Sequence, residues 1–362
     1  MIDKEKIDSC YKFLDDVSKE MNKILIGETA KKLYRAFMIG LIAPIPYKLK
    51  GGTEERTGCG HVWLEAVPGT GKTLAAEGLA LMSKICDQLT YKRIQFTPDM
   101  MPAHILGGRI FDVRKGEFRT EKGPIFANIV LADEKDRGNP KTKAAILEVM
   151  QECQVTIEGE TFVLRPPFFL IATDNPLEEE GVYPATAAEK DRFMFQVVLS
   201  ELSKEEEKKI ASHDFTNIEL DKVVTAQKIM EIRKIVREQV AWDSDKVPEY
   251  IARLIRATRV RVDESGNPTG EYNIKLVQEM VQWGIFSNRC LQHFFAASKA
   301  QAFFNGRLFI KPEDIKQVAH EIMRHRITLN NNVIGQIKGE RKFLSEATDE
   351  VITAILEEVP IP

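Results

Sequence analysis

Apolar residues recur at helical spacing at the start of the chain and then form short continuous runs. Residues 1–26 and 28–42 each carry an amphipathic helical pattern. Further helical patterns cover Lys72–Ile85 and Lys141–Glu152. Because short apolar runs alternate with these patterns, the sequence predicts an α/β fold with a mainly parallel sheet. The predicted strands are His61–Glu65, Lys92–Phe96, Ile129–Ala132, Phe168–Ala172 and Phe195–Leu199.

The second part of the chain is predicted to be helical throughout. After about residue 200 the strand signals stop. The polar stretches 43–60 and 330–345 are predicted to be loops, the first because it is rich in proline, glycine and charge. We therefore expect an α/β part over 1–200 and an all-α part over 201–362. The predicted helices are Lys204–Ile210, Ala226–Glu238, Pro248–Arg259, Ile274–Gly284, Arg289–Phe304, Lys311–His325 and Val351–Glu358.

Composition and charge narrow the classes of function. The chain has 51 basic and 54 acidic residues, so no overall charge draws it to nucleic acid or to an anionic membrane. No window is apolar enough for a membrane span, and the N-terminus lacks the pattern of a secretory signal. Five single cysteines without C-x-x-C spacing favour reduced thiols in a cytoplasmic protein.

The segment Ala66–Thr73 carries the strongest chemical signal. It follows the pattern G-x-x-x-x-G-K-[ST] of a Walker A loop, with Ala66 in place of the first glycine. A predicted strand precedes it and a predicted helix follows, so its backbone N–H groups would point at phosphates. Lys72 would reach the β- and γ-phosphates, and Thr73 would ligate Mg²⁺. The candidate nucleotide-binding residues are Val67, Pro68, Gly69, Thr70, Gly71, Lys72 and Thr73.

A second element agrees with a nucleotide site. Asn128–Glu134 is an apolar strand that ends in two carboxylates, the Walker B pattern. Side chains at the end of a buried strand lie at the carboxyl edge of the sheet, where ligands bind. Asp133 would hold Mg²⁺, and Glu134 would orient and deprotonate the attacking water.

Two further polar positions are candidates. Asn175 follows the predicted strand Phe168–Ala172 and could hold the γ-phosphate or the attacking water; its alternative is a turn residue before a proline. Arg192 lies between a predicted helix and a predicted strand, and its alternative is a surface salt bridge.

Several stretches together resemble the MoxR group of AAA+ ATPases. They extend from about residue 22 to the C-terminus, which is far more specific than a Walker A loop alone. The stretches are Phe96–Pro102, Gly123–Asn128, Leu131–Glu134, Pro140–Thr142, Leu147–Glu152, Gln154–Ile157, Ile171–Pro176, Asp191–Phe193 and Glu357–Pro360.

The resemblance implies an AAA+ module, with a parallel-sheet P-loop core followed by an all-α lid, that binds ATP and Mg²⁺ in a ring, usually a hexamer. By position, Asn175 corresponds to the sensor-1 residue. Arg192 corresponds to the arginine finger, which acts on the neighbouring subunit's nucleotide and stabilises transition-state charge. Arg289 corresponds to the sensor-2 arginine, and Ile26-Gly27 to the patch that packs on adenine.

The family also implies two inserts, a helix-2 insert at about residues 105–120 and a pre-sensor-1 hairpin at about 154–164. Four departures from the family pattern stand out: Ala66, the pair Lys135-Asp136 where Ile-Asn is usual, Ser287-Asn288-Arg289 in place of Ser-Pro-Arg, and a longer stretch over Ala43–Gly60. None of them removes a catalytic group.

Two classes of function compete for such a ring. MoxR-type proteins typically remodel proteins together with a partner that contains a von Willebrand factor A domain, in complex maturation or metal-cofactor insertion. The alternatives are a nucleic-acid motor or a magnesium-chelatase-like motor subunit. DNA motors usually carry basic residues at the hairpin tip, whereas this tip has Glu158 and Glu160. We therefore favour a protein client over nucleic acid. A non-hydrolysing nucleotide switch is disfavoured because Glu134 and Arg192 are both present.

Overall fold

A computed structural model describes residues 4–23, 27–48, 55–66, 85–87, 89–174, 182–199, 203–212, 218–242, 246–260, 269, 272–340 and 344–361. The chain divides into two compact units. Unit 1 comprises Met1–Ala185 and Val197–Ile235, and unit 2 comprises Thr186–Gln196 and Val236–Pro362. The strands are β1 (Ile45–Lys48), β2 (Glu55–Gly58), β3 (Val62–Ala66), β4 (Cys86–Asp87), β5 (Tyr91–Gln95), β6 (Gly107–Asp112), β7 (Glu117–Lys122), β8 (Ile129–Asp133), β9 (Gln154–Ile157), β10 (Glu160–Val163), β11 (Phe169–Asp174), β12 (Phe195–Leu199), β13 (Val224–Thr225), β14 (Val281–Trp283) and β15 (Thr328–Leu329).

A five-stranded sheet forms the core of unit 1, in the order β12-β3-β11-β8-β5. Its strands match the five predicted strands to within two residues. The pairs β3–β11, β11–β8 and β8–β5 run parallel, which confirms the predicted parallel sheet. β8 and β11 are buried at every position, as continuous apolar runs in a parallel sheet require.

Capping by the preceding residue explains where the helix Pro140–Glu152 begins. The side chain of Asn139 accepts a hydrogen bond from the backbone of Thr142 (3.0 Å), and proline occupies the first helical position. This helix lies between β8 and β9 along the chain. Among the described residues before 240, the helices are Lys4–Asn22, Glu28–Ile42, Pro102–Leu106, Pro140–Glu152, Ala187–Lys190, Lys204–Ser212 and Ala226–Gln239.

Two β-hairpins occupy the regions of the expected inserts. β6 and β7 pair antiparallel, with Phe111 opposite Phe118. β9 and β10 pair antiparallel and turn at Glu158-Gly159, both of which have positive φ. Both hairpins belong to unit 1.

The prediction of a loop over residues 43–60 is wrong in part. β1 and β2 pair antiparallel there, with Ile45 opposite Gly58. Backbone hydrogen bonds make this pair, so the polar composition gave no sign of it. Arg233, only 1% exposed, donates a hydrogen bond to the Gly58 carbonyl and anchors the end of β2 to the body of unit 1.

Beyond residue 200 the chain is mainly helical, but three details of the prediction are wrong. Strands do not stop at residue 200, because β13 pairs with β4 and β14 pairs with β15. The helix predicted over 274–284 therefore ends at Met280, where β14 begins. The predicted loop 330–345 contains a helix, which Asn330 caps by accepting from the Val333 N–H (2.9 Å). In the described part of the chain after residue 240, the helices are Lys246–Ala257, Lys275–Met280, Asn288–Phe304, Pro312–Met323, Asn331–Glu340 and Leu344–Glu358.

The expectations on membrane spans and on cysteines can be compared with the structure. Among the described residues, no helix combines the length and the apolar character needed to cross a membrane. The side chains of Cys10, Cys59, Cys153 and Cys290 are buried.

Candidate functional site

The predicted acidic pair lies at the carboxyl edge of the five-stranded sheet. Asp133 is the last residue of β8, and Glu134 follows in the left-handed region with a φ of 52°. The chain then turns into a short 3₁₀ helix over Lys135–Arg137. Because β5 and β11 run parallel to β8 on either side, the ends of the three strands meet at this edge.

Both carboxylate oxygens of Asp133 are hydrogen-bonded by neighbouring strands. Arg93 on β5 donates to Oδ2 through Nε (3.0 Å) and Nη2 (2.5 Å). Thr173 on β11 donates its hydroxyl to Oδ1 (2.5 Å), and the same hydroxyl accepts the Glu134 N–H (2.9 Å). The position of the acidic pair is therefore set from both sides of β8.

The carboxylate of Glu134 has its own partners. Gln95 Nε2 donates to it over 2.8 Å, and Arg137 lies 3.1 Å away. Gln95 in turn accepts from Arg93 Nη2 (2.7 Å), so one network joins both acids. Sequence reasoning missed Arg93 and Gln95; their alternate positions in a predicted strand place them on one face of it but do not identify their partners.

The Lys135 departure has a structural explanation. Its side chain is 4% exposed, and its ammonium lies 3.2 Å from the Asp174 carboxylate at the end of β11. The ammonium also lies 5.7 Å from the centre of the Trp63 ring on β3. A charge this deeply buried is tolerated only when it is paired. Lys135 therefore connects the turn after the acidic pair with the ends of two neighbouring strands.

The donor groups at this edge fit Mg²⁺. Carboxylate and hydroxyl oxygens are the ligands that this small, hard cation prefers, and Asp133 and Glu134 supply them beside Thr173. Asp133 is the residue that would hold the ion. When bound, the ion would neutralise phosphate charge during phosphoryl transfer.

Several predicted site residues lie outside the described residues. They are the loop Val67–Thr73, Ile26 and Asn175, together with most of the predicted helix Lys72–Ile85.

Gly27, the described member of the predicted adenine patch, has a conformation that favours glycine. Its φ is 95°, and a Cβ at this position would lie 2.2 Å from Oε1 of Glu206. The same Glu206 oxygen accepts the Glu28 N–H (2.7 Å) at the start of the helix Glu28–Ile42. Hydrogen bonds from the Ser203 and Glu28 backbone N–H groups lower the pKa of the Glu206 carboxyl.

In unit 2, Asp191 joins the regions of both predicted arginines. Its carboxylate accepts from Arg289 Nη1 (3.1 Å) and from the Ser287 hydroxyl (2.7 Å). Ser287 also caps the helix Asn288–Phe304, which places Arg289 in the first turn. Arg326, which sequence reasoning missed, donates to the other Asp191 oxygen (2.8 Å). Asp191 therefore binds the side chain of Arg289 and directly precedes Arg192 in the chain.

Arg192 itself is half-buried. Its Nη1 donates to the Ala188 carbonyl (2.8 Å), and its Nε is buried without a hydrogen bond to any described residue. It follows the short helix Ala187–Lys190, whose capping box is formed by Thr186 and Glu189. The Arg192 guanidinium therefore follows a short helix that its capping box stabilises.

This strand order and this acidic edge define a class, the AAA-type ATPases. Residues 61–195 match the family model described as ATPase family associated with various cellular activities (AAA), and residues 274–351 match the AAA lid domain. A core sheet with a following helical lid is therefore confirmed.

Similarity to individual relatives identifies the family within the AAA-type ATPases. The chain is 32% identical to Chaperone MoxR1 of Mycobacterium tuberculosis over 347 residues, 95% of this chain and 81% of that one. It is 35% identical to YeaC of Bacillus subtilis, over 84% of this chain and 86% of that one. A crystal structure from Cytophaga hutchinsonii, described as a candidate ATPase, superposes with a TM-score of 0.79 and 35% identity, covering 99% and 97%. The chain belongs to the MoxR family of AAA+ ATPases.

Proposed function

We propose that this protein hydrolyses ATP with Mg²⁺ in a hexameric ring and uses the energy to remodel a protein client. The observation that carries the proposal is the acidic pair Asp133-Glu134, held at the carboxyl edge of the sheet by side chains from both adjacent strands. The similarity to a protein named a chaperone supports the remodelling role.

In unit 1, the proposed roles follow from chemistry and position. Glu134 accepts the proton of the attacking water, and its contacts with Gln95 and Arg137 orient it. Asp133 and Thr73 hold Mg²⁺, and Val67–Thr73 cradle the phosphates of ATP. Asn175 positions the γ-phosphate or the water, while Ile26 and Gly27 contact adenine.

In unit 2, two arginines supply positive charge to the transferring phosphoryl group. Arg289 acts on the ATP of its own subunit, and Arg192 acts on the ATP of the neighbouring subunit. Asp191, which directly precedes Arg192 in the chain, forms an ion pair with Arg289 (3.1 Å). Activity then requires assembly, because each site is completed by the next subunit.

The client is proposed to be a protein complex under maturation or awaiting a metal cofactor, recruited by a partner with a von Willebrand factor A domain. This assignment comes from the family resemblance. The acidic turn of the β9–β10 hairpin, with exposed Glu158 and Glu160, agrees with a protein client more than with a nucleic acid.

Mg²⁺-dependent ATP hydrolysis, measured over a series of protein concentrations, tests the proposal. We expect the wild-type rate per subunit to rise with concentration as the ring assembles. Glu134→Gln and Arg192→Ala are each expected to lower kcat by about 100-fold or more, because they remove the base and the transition-state charge.

The matched controls are Glu346→Gln and Arg256→Ala, which change exposed residues elsewhere in unit 2. They should keep the wild-type rate. A wild-type protein that binds ATP but turns it over no faster than Glu134→Gln at any concentration would contradict the ATPase.

A further inference from the structure

The β6–β7 hairpin carries a group of apolar side chains in solvent. Phe111 and Phe118 are 48% and 60% exposed, and their rings pack edge to face at 5.1 Å. Ile110 and Val113 are 45% and 84% exposed on the same hairpin. Exposed apolar clusters of this kind usually mark an interaction surface. A two-stranded ribbon is also only marginally stable by itself, so we expect something to cover it.

The register of the hairpin assigns each side chain to one of two faces. Residues directly opposite each other in an antiparallel pair point to the same face, and successive residues alternate. The aromatic face consists of Gly107, Arg109, Phe111, Phe118, Thr120 and Lys122. The acidic face consists of Gly108, Ile110, Asp112, Glu117, Arg119 and Glu121.

The aromatic face carries positive charge. Its charged residues are Arg109 and Lys122, with no carboxylate among them. The Arg109 guanidinium lies 5.6 Å from the centre of the Phe118 ring. At the base of the hairpin, the Lys122 ammonium lies 5.1 Å from the Phe126 ring and 4.9 Å from the Phe162 ring. This face is therefore cationic and aromatic along its length.

The opposite face carries the opposite charge. Asp112, Glu117 and Glu121 outnumber Arg119, which lies 3.6 Å from Glu121. The exposed side chain of Ile110 provides an apolar centre. The aromatic face therefore carries two positive charges, and the acidic face carries a net charge of minus two.

We propose that the aromatic face of each hairpin packs on the acidic face of the hairpin in the next subunit. The inference rests on the ring of the proposed function. Such a contact is head-to-tail, with different surfaces on its two sides, and contacts of this type close into rings. Opposite charges meet at every junction, while Phe111 and Phe118 are covered by Ile110 and the aliphatic stems around it.

A second copy of the chain suits the hairpin better than another occupant does. One acidic peptide would cover the aromatic face and leave the acidic face in solvent, whereas a neighbouring copy covers both. A nucleic acid would meet Asp112, Glu117 and Glu121 on the same thin ribbon. The Arg109 guanidinium also occupies the Phe118 ring face on which a base would stack.

The contact is small, so it acts together with other contacts between subunits. A six-residue strand spans about 20 Å, and packed sheets lie about 10 Å apart. Six hairpins spaced at about 10 Å would therefore surround the ring axis at a radius of about 10 Å. A collar of this size would border the central opening of the ring.

Charge reversal on one face at a time tests the proposal by sedimentation velocity of the full chain with Mg-ATP. Variant A is Arg109→Glu/Lys122→Glu, and variant B is Glu117→Lys/Glu121→Lys. Asp112 is left unchanged because its carboxylate accepts the Arg114 and Lys115 N–H groups in the turn. We expect each variant to raise the concentration for half-assembly by about tenfold or more, since like charges then meet at each junction.

Mixing the two variants separates a lost contact from a damaged fold. The reversed aromatic face of variant A complements the reversed acidic face of variant B, and their unchanged faces also match. An equimolar mixture should therefore assemble as the wild type does. The matched control, Arg114→Glu/Lys115→Glu, makes the same charge change at the turn, on neither face, and should assemble normally.

The outcomes are distinguishable. If the wild type assembles and variants A and B assemble equally well, or fail separately without rescue on mixing, the hairpin contact is refuted while the ring stands. If variant A assembles normally but loses binding of an acidic peptide or of single-stranded DNA that the wild type binds, that ligand is the occupant instead. If the wild type remains a monomer at every concentration, the ring and the hairpin contact both fail.

Discussion

At the residue scale, the acidic edge of the sheet depends on buried polar side chains that hold one another in place. Lys135 and Asp174 are 4% and 10% exposed, and their charges lie 3.2 Å apart. Asp174 Oδ1 makes no hydrogen bond with a described residue, so Lys135 provides the main compensation for this carboxylate. Burial makes such a pair costly to break, whereas an exposed pair is worth little.

Lys135→Met should destabilise the protein by about 3 to 5 kcal/mol, because it leaves the Asp174 charge buried and unpaired. The double variant Lys135→Met/Asp174→Asn should recover much of this loss, since it removes both charges. The free energy of unfolding from urea titrations measures both effects. A single variant within about 1 kcal/mol of the wild type would show that Lys135 does not compensate Asp174.

At the element scale, the sheet and a helix are joined by a buried histidine at the start of β3. His61 Nδ1 accepts the Leu170 N–H of β11 (3.0 Å), so the ring presents Nε2 to the Met150 carbonyl of the helix Pro140–Glu152 (3.3 Å). Both contacts suit a neutral imidazole. Burial lowers the pKa of His61 to about 4.

Because the pKa of His61 is lowered in the folded state, we expect the protein to lose stability in acid. The unfolded chain binds a proton near pH 6.5, while the folded chain does so only near pH 4. The contribution of His61 to stability is therefore complete above pH 6.5, and about 3 kcal/mol of it is lost as the pH drops toward 4. His61→Gln should flatten this dependence in urea unfolding measured from pH 7 to 4. The exposed His104→Gln serves as the control, and equal slopes for His61→Gln and wild type would contradict the assignment.

At the scale of the whole molecule, the residues proposed for one catalytic site come from both units. Glu134 belongs to unit 1 and Arg192 to unit 2. An arginine that acts on the neighbouring subunit makes the ring, and not the single chain, the active species.

Mixing two inactive variants tests this sharing of sites. Glu134→Gln chains still donate Arg192, and Arg192→Ala chains still hold Glu134. In an equimolar mixture about a quarter of the sites should combine both intact residues, because neighbours are placed at random around the ring. ATPase activity should therefore reappear on mixing. If the mixture stays as inactive as its components, Arg192 does not act across the subunit boundary.

The site was partly accessible from the sequence, because strand ends are local features. The apolar run Ile129–Asp133 predicted both a buried strand and the acids at its end, and the structure places them there. Arg93 and Gln95 could not be assigned to these acids beforehand. Their contacts depend on β5 lying beside β8 with Gln95 opposite Asp133, and such register is set by tertiary packing.

The sequence by itself determined the five strands of the core sheet, the acids at the end of β8, and the family. Hydrophobic periodicity and short motifs are local, so they can be recognised without knowledge of the fold. Only the tertiary structure decided which polar groups meet: Arg93 with Asp133, Lys135 with Asp174, and Arg289 with Asp191. It also decided that β1 pairs with β2, because backbone hydrogen bonds between two polar segments leave no side-chain pattern in either segment.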